Sequence, residues 1–474
     1  MTTSTFSLKT FFIALAAMLL ASFAVTSCIE DGISTSPSDQ PVFSTDTLRM
    51  GAVFTGEDNP TFSLMVYNRH DKIMNISSIR LRSGEKTFRL NVDGLSGTQF
   101  NNIEIRPNDS IYVFVATTLP VNGHFRPTDV SDVIEFVTNG VTSEVVVTAE
   151  GTDVERLKGT VITTDTRWEA DRPRQVFDSL VVASGVTLTI EKGAKIYFHD
   201  GAHMAVRGTL ITQGEPGFPV EFCGDRTGNV ITDITFDLMS RQWEGLVFTS
   251  TSRQSRMDYT EVRNTWSGVT VDSIGATSTP ALTLTNCRLR NAAYHVLQSL
   301  HSSVAAYATE FAEAGYGPVA LQGGDHTFVN CTFSNYYLFS AVMGPLVQLS
   351  HVNDDTDDGS SLPRLSARFT NCILYGSGTE MTPGDLKDTA VTVSNSLLRS
   401  KGEDDDHFIG CFWGEDPLFY TVRADYIFDY RLHPDSPAIG KAQAGFEQMI
   451  GATDYYGTPR SSYSLGAYEP WNQE

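Results

Sequence analysis

A short motif that recurs about every 22 residues limits the fold of this 474-residue chain more than any other feature. In four copies an Asn stands three positions before an apolar anchor. The anchors lie 27, 22, 22, 41 and 24 residues apart, at Val262, Leu289, Phe311, Phe333, Leu374 and Leu398. The interval of 41 fits either two repeats or one repeat that carries the polar insertion around 354–359. Such regular repetition predicts a stack of similar units.

The period favours a parallel β-helix. It is shorter than the ~40–45 residues of a propeller blade, and the helical face of a leucine-rich repeat is absent. In a β-helix each coil contributes short strands, and equivalent residues of successive coils stack ~4.8 Å apart. Inward positions must then be apolar in every coil, as the anchors are. We therefore predict an all-β chain in which 154–430 forms a β-helix and 431–474 forms its C-terminal cap.

Polar and sulfur-containing residues of the motif fit the same stack. We expect its asparagines near a bend, where each amide bonds to its neighbours along the stack. These asparagines are Asn286, Asn330, Asn371 and Asn395. Cys287 and Cys331 are 44 residues apart, which is two coils or ~9.6 Å and exceeds the ~7 Å Cα separation that a disulfide allows. We interpret the cysteines of the repeats as small buried residues.

The region before the repeats reads as a second domain. Between 41 and 153, alternating segments such as 61–68 (TFSLMVYN) and 110–116 (SIYVFVA) are separated by turn residues such as the Asn-Gly at 139–140. About seven such strands in ~110 residues fit an immunoglobulin-like β-sandwich. The region also resembles the spacer modules of bacterial surface proteins, and we expect a rigid spacer here.

An export signal occupies the first residues. The apolar run 11–25 is shorter than the ~20 residues of a membrane span and ends in small residues. Val-Thr-Ser-Cys at 25–28 resembles the lipobox of bacterial lipoproteins, which implies cleavage after 1–27 and acylation of Cys28. The stretch 28–40 then forms a tether. If Cys28 is lipidated, five cysteines remain, and an odd number excludes a complete disulfide framework.

The residues after Cys28 bear on location. The acidic pair Glu30-Asp31 resembles the export signal of Bacteroidetes surface lipoproteins. That resemblance implies a protein lipid-anchored in the bacterial outer membrane and displayed at the cell surface, while periplasmic display stays open. Several acyl chains at ~0.8 kcal/mol per buried CH₂ would anchor the chain without a spanning helix.

The charge balance restricts the partners. The chain carries 34 Lys+Arg against 56 Asp+Glu, a formal net charge of −22. Binding to nucleic acid needs clustered cations, so we expect no nucleic-acid partner. Strongly anionic glycans are disfavoured too, unless calcium bridges them. Neutral glycans and host or matrix proteins remain as ligands.

Two further resemblances concern the repeat region and its end. The segments 185–198 (GVTLTIEKGAKIYF), 206–210 (VRGTL), 219–222 (PVEF) and 243–248 (WEGLVF) resemble the first coils of right-handed parallel β-helix repeat proteins. That class includes pectate-lyase-like enzymes and surface proteins without known activity.

The C-terminal end carries a three-part motif. Its segments are 433–440 (HPDSPAIG), 454–460 (DYYGTPR) and 465–469 (LGAYE), which together resemble the choice-of-anchor segment of such proteins. An exposed coil end would pair with other chains, so a cap is expected. We expect Asp454, Arg460 and Glu469 to fold this cap.

Catalytic residues are harder to identify. Lyases of the resembled class would use a cationic base on a solvent-facing ladder, with calcium held by acidic residues. The arginines in or beside the repeats are Arg263, Arg288, Arg290, Arg368 and Arg399. We interpret them as solvated side chains, because single outward arginines of a sheet usually are.

Acidic runs supply carboxylates but no defined pair. Glycoside hydrolysis needs two carboxylates ~5–9.5 Å apart. The runs here lie in polar insertions, which are typically solvated loops. One of them offers a candidate calcium loop formed by Asp354, Asp355, Asp357 and Asp358. A second run covers 404–406. No other cofactor is expected.

Aromatic side chains are the remaining candidates for ligand binding, because the apolar face of a sugar stacks on an exposed ring. The candidates are Trp266, Tyr336, Tyr337 and Trp413, although packing against the coils is the alternative for each. The leading hypothesis is a non-enzymatic protein whose β-helix presents a binding or adhesive surface for a glycan or protein. A polysaccharide lyase or glycoside hydrolase is the first alternative, and a structural envelope component is the second.

Overall fold

The chain is all-β: strands take up 51% of the residues and helices 2%. The computed structural model describes residues 32–471 except 60, 86, 124, 232–233, 275–278, 351–362, 382–385 and 387–389. Cys28 and the candidate calcium loop therefore lie outside the described residues. Within the described ranges no helix has the length and apolar character that a membrane crossing requires.

Two compact units make up the chain. The first takes residues up to 49 together with 58–118 and 130–148. The second takes 50–57, 119–129 and everything from 149 onwards.

The N-terminal strands form two five-stranded sheets. They are β1 (Val42–Phe43), β2 (Thr47–Phe54), β3 (Phe62–Tyr67), β4 (Met74–Leu81), β5 (Phe88–Val92), β6 (Leu95–Gly97), β7 (Gln99–Ile105), β8 (Ser110–Thr117), β9 (Thr128–Thr138) and β10 (Val141–Thr152). The sheets have the orders β1-β3-β8-β5-β6 and β2-β10-β9-β4-β7, and pairs such as β3–β8 and β4–β9 are antiparallel.

Apolar faces of these two sheets meet. Phe43 on β1 and Phe136 on β9 belong to different sheets, and their ring centroids are 4.7 Å apart. Val145 and Val147 on β10 are buried while Glu144 and Val146 are exposed, as expected for a half-buried antiparallel strand. The sequence predicts about seven strands, whereas ten are described. The immunoglobulin-like topology stays a prediction.

From Glu155 onwards the chain consists of short strands in regular succession. They are β11 (Glu155–Ile162), β12 (Thr166–Trp168), β13 (Arg174–Val182), β14 (Thr187–Glu191), β15 (Lys195–Phe198), β16 (His203–Val206), β17 (Thr209–Gln213), β18 (Val220–Gly224), β19 (Asn229–Ile231), β20 (Ile234–Thr235), β21 (Gly245–Phe248), β22 (Ser255–Asp258), β23 (Thr260–Val262), β24 (Val269–Asp272), β25 (Leu282–Thr285), β26 (Arg288–Ala292), β27 (Leu297–Leu300), β28 (Val304–Tyr307), β29 (Glu310–Ala314), β30 (Val319–Gln322), β31 (Gly324–Val329), β32 (Thr332–Ser334), β33 (Val347–Ser350), β34 (Leu365–Thr370), β35 (Ile373–Leu374), β36 (Ala390–Ser394), β37 (Leu397–Leu398), β38 (Phe408–Ile409), β39 (Phe412–Trp413), β40 (Phe419–Val422) and β41 (Phe428–Leu432). Two 3-10 turns (Phe236–Leu238 and Ala424–Tyr426) and one short helix, α1 (Glu447–Ile450), complete the described elements.

Parallel pairing joins 27 of these strands into a 17-stranded and a 10-stranded sheet, while β19–β20 and β40–β41 form two separate antiparallel pairs. A representative coil consists of β23, β24 and β25, and each of these pairs with its counterpart in the next coil, β26, β27 and β28. The third strand of each coil belongs to the smaller sheet, and the first two belong to the larger one. Such long parallel sheets are compatible with a β-helix.

The register confirms the alignment of the repeats. Val262 pairs with Leu289, Leu289 with Phe311, and Phe311 with Phe333. Phe333 then pairs directly with Leu374, so the interval of 41 residues is one coil with an insertion. All of these anchors are buried. The rings of Phe311 and Phe333 stack at 5.1 Å, and burying such a side chain contributes about 1.5–3 kcal/mol.

The asparagine column lies at the bend between the two sheets, as predicted. Its members adopt the left-handed backbone, with φ of 49° at Asn286 and 56° at Asn371, a conformation that Asn tolerates better than most residues. Asn371 donates to Asn330 Oδ1 (3.1 Å), and Asn395 donates to Asn371 Oδ1 (2.8 Å). The five described cysteines are free, and four of them are buried.

Candidate functional site

Charged side chains occupy one outward row of the β-helix, beside the anchors. The register pairs Glu221 with Glu261, Glu261 with Arg288, and Arg288 with Glu310 on successive coils. Side chains alternate between the faces of a strand, so residues on either side of a buried anchor point outward. We call these four residues the charge column.

Arg263 and Arg290 lie on the same outward face, one position past the anchors. The turn Phe236–Leu238 brings Asp237 against Arg263, with Nε–Oδ1 at 3.1 Å. Asn264 fixes this turn, because its amide donates to the carbonyl of Asp237 at 2.7 Å. The insertion after β20 therefore adds a carboxylate to the face of the β-helix.

Arg263 is held by three carboxylates. Its Nη1 lies 3.0 Å from Glu221 and 3.6 Å from Glu261, and its Nε contacts Asp237. Only 12% of its side chain is exposed. Glu221 also pairs with Lys195 Nζ at 2.9 Å and Glu261 with Arg288 at 3.9 Å, so the charges at this end of the face are largely paired.

Glu310, at the other end of the charge column, is paired with Arg288 and Arg290. Arg290 Nη2 donates to Glu310 Oε1 at 2.9 Å. Arg288 lies 3.9 Å from Glu261 and 3.6 Å from Glu310, and its buried Nε has no hydrogen-bond acceptor among the described residues. The ring of Tyr455, from the C-terminal segment, lies 5.1 Å from the Arg288 guanidinium.

The interpretation of the repeat arginines as solvated is wrong for Arg263, Arg288 and Arg290. Their side chains are 10–14% exposed, because the C-terminal segment and the turn after β20 cover this face. Arg368 and Arg399 are exposed and separate from this group, as the interpretation holds.

Protonation states follow from these contacts. Burial would raise the pKa of Glu261, but the guanidinium groups of Arg263, Arg288 and Arg290 lower it to about 2. Burial would lower the pKa of Arg288, yet its anionic neighbours, Glu310 among them, raise it well above its usual value. At neutral pH both groups are charged and mutually paired.

A cleft of about 480 Å³ opens over this face. Besides the charged residues already described it is lined by Asn291, Leu238 and the stretch 425–428. Tyr426 at its rim is 40% exposed and Ile427 is 56% exposed. The cleft thus combines paired charges on its floor with apolar and aromatic side chains at its edge.

Two buried glutamates, Glu310 and Glu313, lie beneath the C-terminal segment. Tyr468 donates its hydroxyl to Glu310, and Tyr430 donates to Glu313. Burial raises the pKa of Glu313 to about 7, and the hydrogen bond from Tyr430 and the charge of Arg290 only partly offset this. These contacts join the cap to the coils rather than line the cleft.

The three-part C-terminal motif forms one buried network. Asp454 accepts the backbone N–H of Glu469 (3.1 Å), and Ser464 donates to the Glu469 carboxylate (3.0 Å). Arg460 Nη2 donates to Asn286 Oδ1 and to the Ala467 carbonyl, both at 2.9 Å. The motif residues thus hold one another and the β-helix.

The predicted stacking aromatics take different positions. Tyr337 is buried and its hydroxyl lies 2.6 Å from Ser240 Oγ. Tyr336 is half-buried with the Arg423 guanidinium 5.8 Å from its ring, and Trp413 is half-buried and donates to Asp404 (3.0 Å). Asp404 therefore stabilises its own loop.

Trp266 begins an aromatic row that the sequence reasoning missed. Its ring lies 6.2 Å from Tyr294 on the next coil, and Tyr294 lies 5.2 Å from Tyr316 on the coil after that. Both tyrosines are more than 40% exposed. Their spacing of 22 residues equals one repeat and could have revealed the row.

Sequence reasoning also missed that the charges converge. The sequence does show a sign of this convergence, because charged residues flank the anchors in consecutive coils, as in Glu261-Val262-Arg263.

Among the described residues no three His, Cys, Asp or Glu side chains cluster closely enough to hold a metal ion.

Comparisons with known proteins show no family for this chain. No family model and no curated protein matches the chain. A protein of unknown function from Porphyromonas gingivalis W83 aligns with 23% of this chain and 46% of its own, at 16% identity and a TM-score of 0.18. A family 123 glycoside hydrolase from Clostridium perfringens, solved to describe glycolipid glycan hydrolysis, aligns over 26% of each chain at 12% identity and a TM-score of 0.18. The chain thus matches less than half the length of either structure, and likenesses this weak carry no argument.

Proposed function

We propose that this protein is a lipid-anchored bacterial cell-envelope protein whose β-helix binds a neutral glycan in the cleft without transforming it. The cleft carries the proposal: three arginines and several carboxylates from successive coils and two loops converge on about 480 Å³ of concave surface. Concave sites with a few convergent polar groups are where small ligands bind.

The chemistry of the lining suits sugar hydroxyl groups. A hydroxyl both donates and accepts, so it can bridge a guanidinium and a carboxylate that already face each other. The guanidinium groups of Arg263, Arg288 and Arg290 line the cleft. The exposed ring of Tyr426 at the rim offers a flat apolar surface for a pyranose.

Charge pairing favours a neutral over an anionic glycan. The cleft is lined by Glu221, Asp237, Glu261 and Asp425 against three arginines, so it offers no net positive field. The whole chain is acidic as well, at −22. A polyuronide would meet repulsion unless calcium intervened.

The first alternative is a polysaccharide lyase or glycoside hydrolase. Glu261 stays ionised at neutral pH and therefore cannot serve as a general acid. Arg288 stays protonated and cannot serve as the base of a lyase. Incubation with polyuronides and neutral glycans, with and without calcium, is expected to yield neither unsaturated ends nor reducing sugar, and either product would support this alternative.

A structural envelope component is the second alternative. One observation favours it: Glu310 and Glu313 accept hydrogen bonds from cap tyrosines, so part of the charged face serves the cap. A protein ligand on the same surface is a variant of the binding function.

The finer architecture is part of the proposal. We infer a right-handed parallel β-helix of the pectate-lyase-like class, closed by a choice-of-anchor segment and carried on an immunoglobulin-like spacer over 41–153. Acylated Cys28 would tether it to the outer membrane, at the cell surface of a Bacteroidetes-type bacterium. The motifs quoted above support each step.

A glycan array probed with the full chain in detergent tests the function. We expect retention on neutral glycans, and we expect Tyr426→Ala to weaken it about tenfold, which corresponds to ~1.4 kcal/mol. Tyr112→Ala, at an exposed tyrosine on β8, is the matched control and is expected to bind normally. Absence of retention on every glycan, or unchanged binding by Tyr426→Ala, would contradict the proposal.

A further inference from the structure

Two cysteines of the β-helix are direct neighbours on successive coils. Because the interval of 41 residues is a single coil, Cys331 and Cys372 occupy equivalent positions, each directly before a strand of the larger sheet. The N–H of Ile373 donates to the carbonyl of Cys331 at 2.9 Å, so the two backbones are paired at this point. The sequence comparison of Cys287 with Cys331, which are two coils apart, does not reveal this pair.

The other described cysteines lack such a neighbour. From coil to coil the register places the following residues at this position, in order: Cys287, Thr309, Cys331, Cys372, Ser396 and Cys411. Cys223 lies on another strand and pairs with Tyr197. Of the five described cysteines, Cys331 and Cys372 alone therefore stand at matching positions of adjacent coils.

Both thiols point to the same corner of the coil interior. Cys331 Sγ lies 3.5 Å from the carbonyl oxygen of Val329, and Cys372 Sγ lies 3.3 Å from that of Thr370. Val329 and Thr370 are themselves partners in the register. Both cysteines are thiols in this structure and fully buried. Burial raises the pKa of Cys331 well above its usual value, and a hydrogen bond with the Cys372 thiol raises it further, so the two thiols are in contact.

The separation of the two backbones suits a disulfide. Adjacent strands of a sheet lie ~4.8 Å apart, and the Cα atoms of a disulfide are about 4.4–6.8 Å apart. One residue earlier the coils are also joined, because Asn371 donates to Asn330 Oδ1 at 3.1 Å. To form the bond the two side chains turn toward each other, and this gives up only weak hydrogen bonds from the thiols to carbonyl groups.

We propose that Cys331 and Cys372 form a disulfide that joins the two coils on either side of the insertion between β32 and β35. The inference rests on the export that is part of the proposed function, because disulfides form and persist in oxidising compartments outside the cytosol. Oxidation takes place during folding, since thiols buried in an apolar core are unreactive afterwards.

The reaction is a thiol–disulfide exchange with a disulfide-bearing protein of the cell envelope. The S–H bonds of both cysteines break and one Sγ–Sγ bond forms. The two protons and two electrons that are released convert the disulfide of the oxidant into two thiols. No other reactant is needed.

Refolding of the full chain in detergent, after reduction in urea, tests the pairing. A mixture of reduced and oxidised glutathione serves as the redox probe, and the refolded chain is then denatured, alkylated, digested and analysed by mass spectrometry. We expect one joined pair of peptides, with Cys331 and Cys372 unalkylated and two hydrogen atoms missing, and alkylated thiols at Cys287 and Cys411. Free thiols at both positions, or a different pairing in the folded chain, would overturn the proposal.

The same peptide analysis on chain made in a bacterial host that processes lipoproteins tests whether the bond forms in the cell. We expect the same cross-link in chain purified from the cell envelope, and free thiols there would overturn the proposal. Free thiols in a chain that fractionates with the cytosol would instead contradict the proposed location, because refolding tests the pairing separately.

Serine variants test what the bond contributes. Closing a loop reduces the conformational entropy of the unfolded chain, so we expect the oxidised parent to unfold at a higher urea concentration than the reduced parent. Cys331→Ser should abolish this difference, and serine suits the position because Ser396 occupies it, buried, on a later coil. Cys287→Ser removes a cysteine without a neighbour and should keep the difference. A difference that persists in Cys331→Ser would contradict the disulfide.

Discussion

Glu313 is a carboxyl group in an unusual position. It adopts the left-handed backbone, with φ of 57°, inside β29 and is 2% exposed. The hydroxyl of Tyr430 and the backbone N–H of Tyr336 donate to it. Arg290 and Glu310 are the charged groups that also act on it. Burial outweighs these contacts and raises its pKa to about 7.

Stability should therefore depend on pH through this residue. The folded pKa lies above the usual value of 4.5, so the folded state holds a proton that the unfolded chain releases. The contribution is fully present below about pH 4.5 and is lost as the pH rises through 7. Glu313→Gln is neutral at every pH, and we expect it to raise the free energy of unfolding at pH 8 by roughly 2–3 kcal/mol and to change it little at pH 5. Urea unfolding at both pH values measures this.

Glu261→Gln is expected to change the free energy of unfolding in the opposite direction. Its carboxylate is ionised and paired with Arg263 and Arg288, so the neutral variant removes one of the anions that compensate these buried cations and should destabilise the fold at pH 8. A Glu313→Gln variant that loses stability at pH 8 as Glu261→Gln does would show that Glu313 acts as an anion.

The asparagine column is an element with two functions. Along the stack Asn330, Asn371 and Asn395 bond to one another through their amides, whereas Asn286 donates to the carbonyl of Ile450. Across the stack the same amides donate to the cap: Asn371 to the carbonyl of Gln443 (2.9 Å) and Asn330 to that of Ser464 (3.0 Å). The column therefore couples the β-helix to the segment that covers it.

Asn371→Ala tests this coupling. The change leaves the amides of Asn395 and Gln443 without their acceptor and puts Ala at φ of 56°. We expect a loss of about 2–4 kcal/mol in stability. Hydrogen exchange at Gln443, whose N–H donates to Asn371 Oδ1 at 2.8 Å, should accelerate.

Two variants separate the contributions. Asn371→Gly keeps the backbone conformation accessible and removes only the amide, so accelerated exchange should persist. Asn102→Ala, at an exposed left-handed position, introduces the strain alone and should leave Gln443 protected. Protected Gln443 in both Asn371 variants would contradict the coupling.

Elements differ in how far the sequence predicts them. The anchors could be aligned to the residue, as the pair Phe333–Leu374 shows, because an inward position of a stack tolerates only apolar side chains. The partners of outward residues follow no such rule. Arg263 meets Asp237 through an insertion, and Arg288 is covered by Tyr455 from the cap. The repeat period predicts neither contact. The sequence therefore predicts the fold class but not the site.

At the scale of the whole molecule, the proposed lipid anchor would determine where a binding face can act. A cleft on a secreted protein would diffuse away with its ligand, whereas on a lipoprotein it would stay at the membrane. The proposed location depends on acylation of Cys28, whose acyl chains would contribute ~0.8 kcal/mol for each buried CH₂.

Cys28→Ser tests that dependence in a bacterial host that processes lipoproteins. Serine cannot form the thioether, so we expect the full chain to leave the membrane fraction and its mass to lack the acyl groups. Cys411→Ser changes a half-buried thiol of the β-helix and should remain membrane-bound. Surface accessibility to added protease, compared before and after cell lysis, distinguishes outward from periplasmic display. Membrane retention of Cys28→Ser would contradict the lipid anchor and with it the proposed location, while leaving the cleft to be judged by its own test.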